Sequence, residues 1–238
     1  MDFCLLKDNV VVGKVATMDP NFQPPEGFTL GPAGGRDHFV WDGQRYLPPQ
    51  ARRDYHCVLP DAFSAEECDA IIAMADGLSS SPGKVIKDGI PGQYIPEIRR
   101  SQLRFLRPNV SAEIDALIAR VWAIFREQND AHFGFTLSRI FQLQLSDYAA
   151  TESGHFDWHT DRLVEPDGFE RKLSFVLLLT DPTAFEGGDF ELQDIGKVDL
   201  RRGTVLIFHS PLMHRVSPVT AGVRQSLVTW VQGPVGVK

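Results

Sequence analysis

The sequence predicts an α+β chain that is mostly β, an antiparallel sandwich or barrel packed by a few helices, behind a small β-rich N-terminal extension. Three observations carry that reading. From Ser138 onward apolar and polar residues alternate in short runs broken by turn residues, the period of a half-buried strand. Before that point, two stretches starting at Ser64 and Ser111 repeat their apolar residues at helical spacing. The first fifty residues show no helical period and carry Pro20, Pro24, Pro25, Gly27, Gly31, Pro32, Gly34 and Gly35.

Taken in chain order, residues 1–50 read as the extension, with short β-like runs at 9–12 and 38–41 and an end at Pro48-Pro49. Asp42-Gly43, between Phe39-Val40-Trp41 and Arg45-Tyr46-Leu47, is a two-residue hairpin signal. Docking on the main domain and binding a partner are both open roles for this piece. Residues 51–238 are assigned to the main domain, with regular structure from about Tyr55. Ser64 and Glu67 form a capping box with Phe63 and Cys68 as its staple, and Cys68, Ile71, Ile72, Ala75 and Leu78 share one helical face. Residues 79–97, rich in Gly, Pro and Ser, are expected to be a long loop. A second helix is predicted over 111–129, with Ile114, Leu117, Ile118, Val121, Trp122 and Phe125 on its apolar face. Strand runs follow at 139–148, 172–180, 188–193, 203–209, 213–219 and 224–232. In the first run Gln142, Gln144, Ser146 and Tyr148 fall on one face and Phe141, Leu143 and Leu145 on the other. The polar face can meet water or line a site inside a barrel; the pattern does not choose.

Composition narrows the function classes. The chain has 238 residues and a formal charge of −7, with Lys and Arg scattered rather than clustered, which disfavours a nucleic-acid partner. No apolar run approaches the roughly eighteen residues of a membrane span, so no membrane partner is expected. The start, MDFCLLKDNVVVGK, lacks the basic and apolar regions of a secretory signal. Cys4, Cys57 and Cys68 are odd in number and show no CxxC spacing, which argues against a disulfide framework or a thiolate zinc site. A cytoplasmic location is the expectation.

The chemistry concentrates around two His-x-Asp pairs. His159 and Asp161 stand at i and i+2, so on an extended segment both side chains reach one ion from one side. With one distant histidine they would make the two-histidine, one-carboxylate facial triad that leaves open positions on iron(II). His155-Phe156-Asp157 offers the same spacing, and the distant histidine can be His209 or His214. Spacing alone leaves these alternatives open. Arg224, ten residues after His214 and two before Ser226, adds a guanidinium and a hydroxyl suited to a carboxylate.

These residues, from about Asp54 to Gly233, resemble the prolyl-4-hydroxylase-like Fe(II)/2-oxoglutarate-dependent dioxygenases, including the bacterial PKHD-type hydroxylase group. The similarity runs through Tyr148, Gly154, Phe156 and His159-Thr160-Asp161, through HRVSPVTAGVRQSLVTW from His214 to Trp230, through the turn and strand EGGDFEL from Glu186 to Leu192, and through Arg99-Arg100-Ser101. The resemblance implies a double-stranded β-helix (jelly roll) core. It implies iron(II) on His159, Asp161 and His214, with His155, Asp157 and His209 as neighbours. It also implies 2-oxoglutarate as co-substrate, its C5 carboxylate held by Arg224 with Tyr148 and Ser226 nearby, and dioxygen as the second co-substrate. Ascorbate as accessory reductant belongs to the same expectation. The implied reaction hydroxylates an aliphatic C–H of a prolyl or similar residue in a protein or peptide, or of an amino acid, with succinate and CO2 as by-products. Related halogenases carry Ala or Gly where Asp161 stands, so Asp161 points to hydroxylation. Gln142, Gln144, Trp158 and Trp230 are the candidates for the substrate side, and residues 79–97 and 162–171 are candidate lids. Two features depart from the PKHD-type group: the N-terminal extension, and the few residues that follow the last core strand, where the group has a helical segment.

The competing reading is a non-catalytic jelly-roll module that binds metal or ligand, or an assembly module that uses residues 1–50. A complete ligand set together with Arg224 argues against a degraded site.

Overall fold

The structure, a computed structural model, describes residues 2–7, 10–16, 23–24, 26–27, 29–32, 40–41, 46–47, 55–87 and 90–236. The chain divides into two compact units, Met1–Arg53 and Asp54–Lys238. The first contains strands β1 (Asp2–Lys7), β2 (Val10–Ala16), β3 (Thr29–Pro32), β4 (Val40–Trp41) and β5 (Tyr46–Leu47) in one antiparallel sheet of order β3-β1-β2-β4-β5. The expected hairpin strands do pair, Val40 with Leu47 and Trp41 with Tyr46. The turn at Asp42-Gly43 lies outside the described residues.

The second unit opens with β6 (His56–Leu59) and helix α1 (Ala65–Ala75). It continues through β7 (Ser81–Pro82), β8 (Val85–Lys87), β9 (Ile90–Gln93), β10 (Arg99–Arg100), β11 (Gln102–Leu106) and helix α2 (Ala112–Gln128). Strands β12 (Leu143–Ala149), β13 (His155–His159), β14 (Phe169–Leu178), β15 (Phe185–Gly187), β16 (Phe190–Leu192), β17 (Gly196–Lys197), β18 (Val205–His209), β19 (His214–Val216) and β20 (Val219–Pro234) complete it. The larger sheet has the order β6-β18-β14-β20-β12-β11-β7, with β15 also on β20; the smaller one runs β10-β13-β19-β16-β17.

Both helices start as their caps require. The Ser64 hydroxyl accepts from the Glu67 amide at 3.2 Å while the Glu67 carboxylate accepts from the Ser64 amide at 2.8 Å, a reciprocal pair that stabilises the first turn by about 1 kcal/mol. The Ser111 hydroxyl accepts from the Ile114 amide at 3.3 Å. The buried residues of α1 and α2, among them Cys68, Ile71, Ile114, Leu117, Val121 and Phe125, pack on one face of the larger sheet. That face is built by alternate residues of its strands: Leu143 and Leu145, Leu173, Phe175 and Leu177, Val205 and Ile207, Leu227 and Val231. The residues in between turn the other way. Tyr148, Val176, Leu206 and Phe208 meet Phe190, Leu192 and Val216 of the smaller sheet in a second core. Two sheets face each other over this second layer, the sandwich that the period-two pattern calls for.

Several elements differ from expectation for identifiable reasons. Residues 79–97 are not a plain loop: β7 pairs with β11, and β8 with β9. Pro82 has no amide to donate, which suits the outermost strand it occupies. The strand expected from residue 139 starts at Leu143, because the Gln142 carbonyl is taken by the Thr229 hydroxyl at 2.8 Å instead of a ladder amide. Phe141 is consequently not on the core face. It is 53% exposed and lies under the Arg139 guanidinium, 4.5 Å from the ring centroid. Strands β10, β11 and β13, absent from the expected runs, are too short or too polar to stand out by alternation. No helix among the described residues is long and apolar enough to cross a membrane.

Candidate active site

Sheet register brings the distant histidines together. On β13 and β19, paired antiparallel, His159 faces His214, after an irregularity between Phe156 and His159. Asp161 leaves the end of β13, where its amide donates to the Ser210 carbonyl at 2.9 Å. One ligand atom each from His159, Asp161 and His214 can be chosen so that all lie within 4.8 Å of one another. The His214 Nε2 is 3.4 Å from Asp161 Oδ2, and the His159 Nε2 is 3.9 Å from Asp161 Oδ1.

The outer partners aim these atoms. His159 Nδ1 lies 2.7 Å from the Asp157 carbonyl and His214 Nδ1 lies 2.9 Å from the Leu212 carbonyl. A carbonyl only accepts, so the proton of each ring belongs on Nδ1 and each Nε2 presents its lone pair to the centre. The Ser174 hydroxyl donates to Asp161 Oδ2 at 2.8 Å, and Phe156 stacks on the His159 ring with centroids 3.4 Å apart. Burial, reinforced by neighbouring His214, pushes the His159 pKa down to about 3, so the imidazole is neutral and able to ligate. Burial works against ionisation of Asp161, but the adjacent His214 and His159 outweigh it and hold the carboxyl below its usual range. Two imidazoles whose Nδ1 faces a carbonyl and one carboxylate, with open space beside them, suit a divalent, oxygen-activating metal.

The competing residues point elsewhere. Both ring nitrogens of His155 are near carbonyls, Nδ1 at 2.8 Å from Ser153 and Nε2 at 3.2 Å from Glu97. Asp157 accepts from the Trp158 amide at 2.8 Å on an exposed edge. His209 stacks on Phe135, with centroids 5.2 Å apart. The alternatives that spacing left open are separated by geometry.

A cleft of about 800 Å³ opens between the sheets at the triad. Arg224 enters it from β20, opposite Tyr148 on β12, while Ser226 is opposite Ser146. Its guanidinium donates to Ser226 Oγ at 3.1 Å and is 2% exposed, yet among the described residues no carboxylate pairs with it. Burial pulls its pKa below the ordinary arginine value. Tyr148 and Asp189 offset part of this burial cost from beyond ion-pair distance, and a carboxylate ligand in direct contact would recover more of it. Gly188 makes room for it: a Cβ there would stand 2.9 Å from Arg224 Cδ. The site thus offers both a metal seat and an anion seat.

A profile of the 2OG-Fe(II) oxygenase superfamily matches residues 143–232. Over 186 residues the chain is 31% identical to a PKHD-type hydroxylase of Pseudomonas fluorescens, covering 74% of this chain and 78% of that one. The chain belongs to the PKHD-type hydroxylases of the 2OG-Fe(II) oxygenase superfamily. A second PKHD-type hydroxylase, from a Synechococcus species, is 38% identical over 105 residues, 43% of this chain and only 47% of the relative's own length. The viral collagen prolyl hydroxylase of Paramecium Bursaria Chlorella virus-1, solved as its 2OG complex, shares the fold with a TM-score of 0.58 at 19% identity, over 77% of this chain and 99% of that one.

This family membership makes the chain an oxygenase that uses iron(II) and 2-oxoglutarate, on a jelly-roll core. The cleft of this hydroxylase is lined by Gln142, Gln144, Tyr148, Trp158, Ser226 and Trp230 as well as by the triad and Arg224. All the expected site residues therefore come together, and Gln142 and Gln144 face inward. Sequence reasoning missed Ser174, which touches Asp161, and Arg171, whose guanidinium stacks 3.9 Å over the Trp230 ring. It quoted Arg99 and Phe156 without assigning either to the cleft that both line. Ser174 had a signal: it is a polar residue in an otherwise apolar run, FVLLL preceded by KLS, on the face of β14 opposite to Phe175.

Proposed function

We propose that this hydroxylase binds iron(II) through His159 Nε2, Asp161 and His214 Nε2. We propose further that Arg224, with Ser226 and Tyr148, holds the C5 carboxylate of 2-oxoglutarate. The observation that carries the reading is the pairing of a tautomer-fixed His-Asp-His cluster with a buried arginine that forms no ion pair among the described residues, both lining one cleft.

When bound, the metal with 2-oxoglutarate and dioxygen supplies hydroxylation of an aliphatic C–H, yielding succinate and CO2. The protein's own groups do the positioning. Ser174 and the Ser210 amide-binding carbonyl fix Asp161, and the carbonyls of Asp157 and Leu212 fix the imidazoles. Arg224 would hold the far carboxylate of the co-substrate and so limit the poses open to its other end. The apolar layer of Val176, Phe190 and Val216 along the cleft keeps bulk water from that end. Gln142, Gln144, Trp158 and Trp230 are the wall left for substrate, which we assign as a prolyl or similar residue in a protein or peptide. Ascorbate, as a reductant that keeps the metal ferrous, belongs to the same proposal.

The test is anaerobic reconstitution of the full chain with iron(II) and 2-oxoglutarate, followed by oxygen, with succinate measured in the wild type and in His159→Ala. Succinate from the wild type alone supports the reading; succinate from neither protein at full metal loading favours a module that binds without turnover. Peptides and amino acids are then screened for the gain of one oxygen atom.

A further inference from the structure

The charge of the cleft is opposite to that of the chain. The whole sequence has 31 acidic and 24 basic residues, yet among the described residues the cleft is lined by Lys84, Arg99, Arg162, Arg171 and Arg224 against the carboxylate of Asp161. On the reading proposed above, on which this inference rests, iron(II) and the 2-oxoglutarate dianion cancel each other. With Arg224 assigned to the co-substrate, Lys84, Arg99, Arg162 and Arg171 stand against Asp161, a surplus of three positive charges among the described wall residues. Packing cations together in a confined, partly dry space is unfavourable unless an anion joins them.

Two of these arginines are held ready rather than neutralised. Elsewhere in the fold arginines meet carboxylates, Arg104 with Asp147 at 2.8 Å and Arg215 with Glu191 at 2.8 Å. Arg171 forms no such ion pair among the described residues: its guanidinium carbon lies over Trp230, 3.9 Å from the ring centroid. Burial lowers its pKa, and Asp161 and Glu165 offset only part of that lowering. Arg99, 6% exposed, rests on Phe156 at 4.4 Å with its Nε donating to Ser101 Oγ at 2.8 Å and Nη1 to the Lys84 carbonyl at 3.4 Å. Gly83 leaves the space for it, since a Cβ there would fall 2.5 Å from Arg99 Nε. Stacked guanidinium planes with immobilised stems are pre-organised for planar carboxylates.

We propose that the substrate of this cleft is an acidic polypeptide segment, in which an aspartyl or glutamyl side chain at or beside the reacting residue is received by Arg171 and Arg99. A polyanionic nucleic acid fits less well, because its phosphates continue beyond the cleft onto a chain of net charge −7. The exposed face of Trp158 at the cleft wall gives a polypeptide an apolar surface on which to lie.

The test measures binding without turnover. The full chain is loaded with manganese(II) and 2-oxoglutarate without oxygen and titrated with fluorescein-labelled hexapeptides that differ only as Asp/Asn, Glu/Gln or Lys at one position. Acidic members should bind about tenfold more tightly than their amide partners, a ratio that shrinks with added salt and falls towards one in Arg171→Gln. The wild-type ratio decides the matter even if that variant does not fold, and Arg162→Gln at the exposed rim should lower the ratio less. Equal binding of acid and amide, preference for Lys, binding of none of the peptides, or tighter binding of a ten-nucleotide thymidine oligomer would each overturn the proposal. Calorimetric titration of 2-oxoglutarate into the same samples separates the two levels. No binding there removes the co-substrate assignment itself, whereas normal binding without acid preference removes this inference alone.

Discussion

Along β12 and β20 neighbouring residues live in different chemistries. Leu143, Leu145, Leu227 and Val231 face the helices and are fully buried among apolar side chains. Gln144, Ser146, Arg224 and Ser226, on the opposite face of the same strands, are also almost fully buried, with Gln144, Arg224 and Ser226 lining the cleft. Gln144 donates to Ser146 at 2.9 Å and Arg224 to Ser226 at 3.1 Å, so the polar groups bond chiefly to one another. One face is saturated with contacts; the other holds hydrogen-bonding capacity in reserve. The comparison teaches that stability and function are interleaved at single-residue spacing in this sheet, and that the cleft face is maintained at a cost in stability.

The largest effect should come from the centre of the cleft face. Asp161→Ala removes the one carboxylate among the described cleft residues and the bond that Ser174 donates to it. Succinate formation should fall by more than about 100-fold, while far-ultraviolet dichroism of the metal-free protein is unchanged. A variant that keeps wild-type turnover at the same metal loading would show that the two faces are not divided as described.

On the opposite face, Phe175→Ala should leave chemistry alone and weaken the fold. Phe175 is fully buried and packs on Phe125 with ring centroids 5.6 Å apart. The expected loss is about 3–5 kcal/mol, read from the denaturant midpoint at unchanged slope. Iron affinity per folded molecule should stay the same. If metal binding drops in proportion to stability, site and core form one cooperative object and not two faces.

Arg224→Met sharpens the comparison by sign. With the guanidinium gone, 2-oxoglutarate affinity should fall by roughly 30- to 1000-fold, corresponding to about 2–4 kcal/mol for a buried charge pair. The same change should raise the stability of the ligand-free protein, because a buried cation with no carboxylate partner among the described residues is replaced by a side chain that suits its burial. A variant that is both weaker in binding and less stable would mean that Arg224 is structurally satisfied after all.

The fold was legible wherever a local rule acts alone. The Ser64–Glu67 box, the Ser111 cap and the apolar stripe of α2 are short-range signals, and each element begins where its cap stands. The strands β12, β14, β18 and β20 show clear alternation and were anticipated, with ends displaced by a few residues. The edge strands escaped notice because their pairing is set by tertiary neighbours: β7 contains Pro82, and β10 is two arginines. In the site, His159, Asp161, His214 and Arg224 could be listed from spacing and family resemblance. Choosing between His155 and His159 from spacing alone was impossible, since both lie on β13 at equal distance from an aspartate. Arg171 stayed hidden because its meaning depends on Trp230, which is brought under it by the pairing of β14 with β20.

The smallest expected effect is the most direct check on that choice. His155 and His159 share β13, four residues apart, each followed two positions later by an aspartate. Their surroundings differ in what is left over. His155 has carbonyls beside both ring nitrogens, so neither nitrogen faces the cluster, whereas His159 has one carbonyl at Nδ1 and turns Nε2 to Asp161. His155→Ala should therefore change succinate formation and iron affinity by less than about twofold, because an exposed partner of loop carbonyls contributes little to either. Loss of iron from a folded His155→Ala protein would reassign the first ligand to His155, and with it the direction from which the metal faces the cleft.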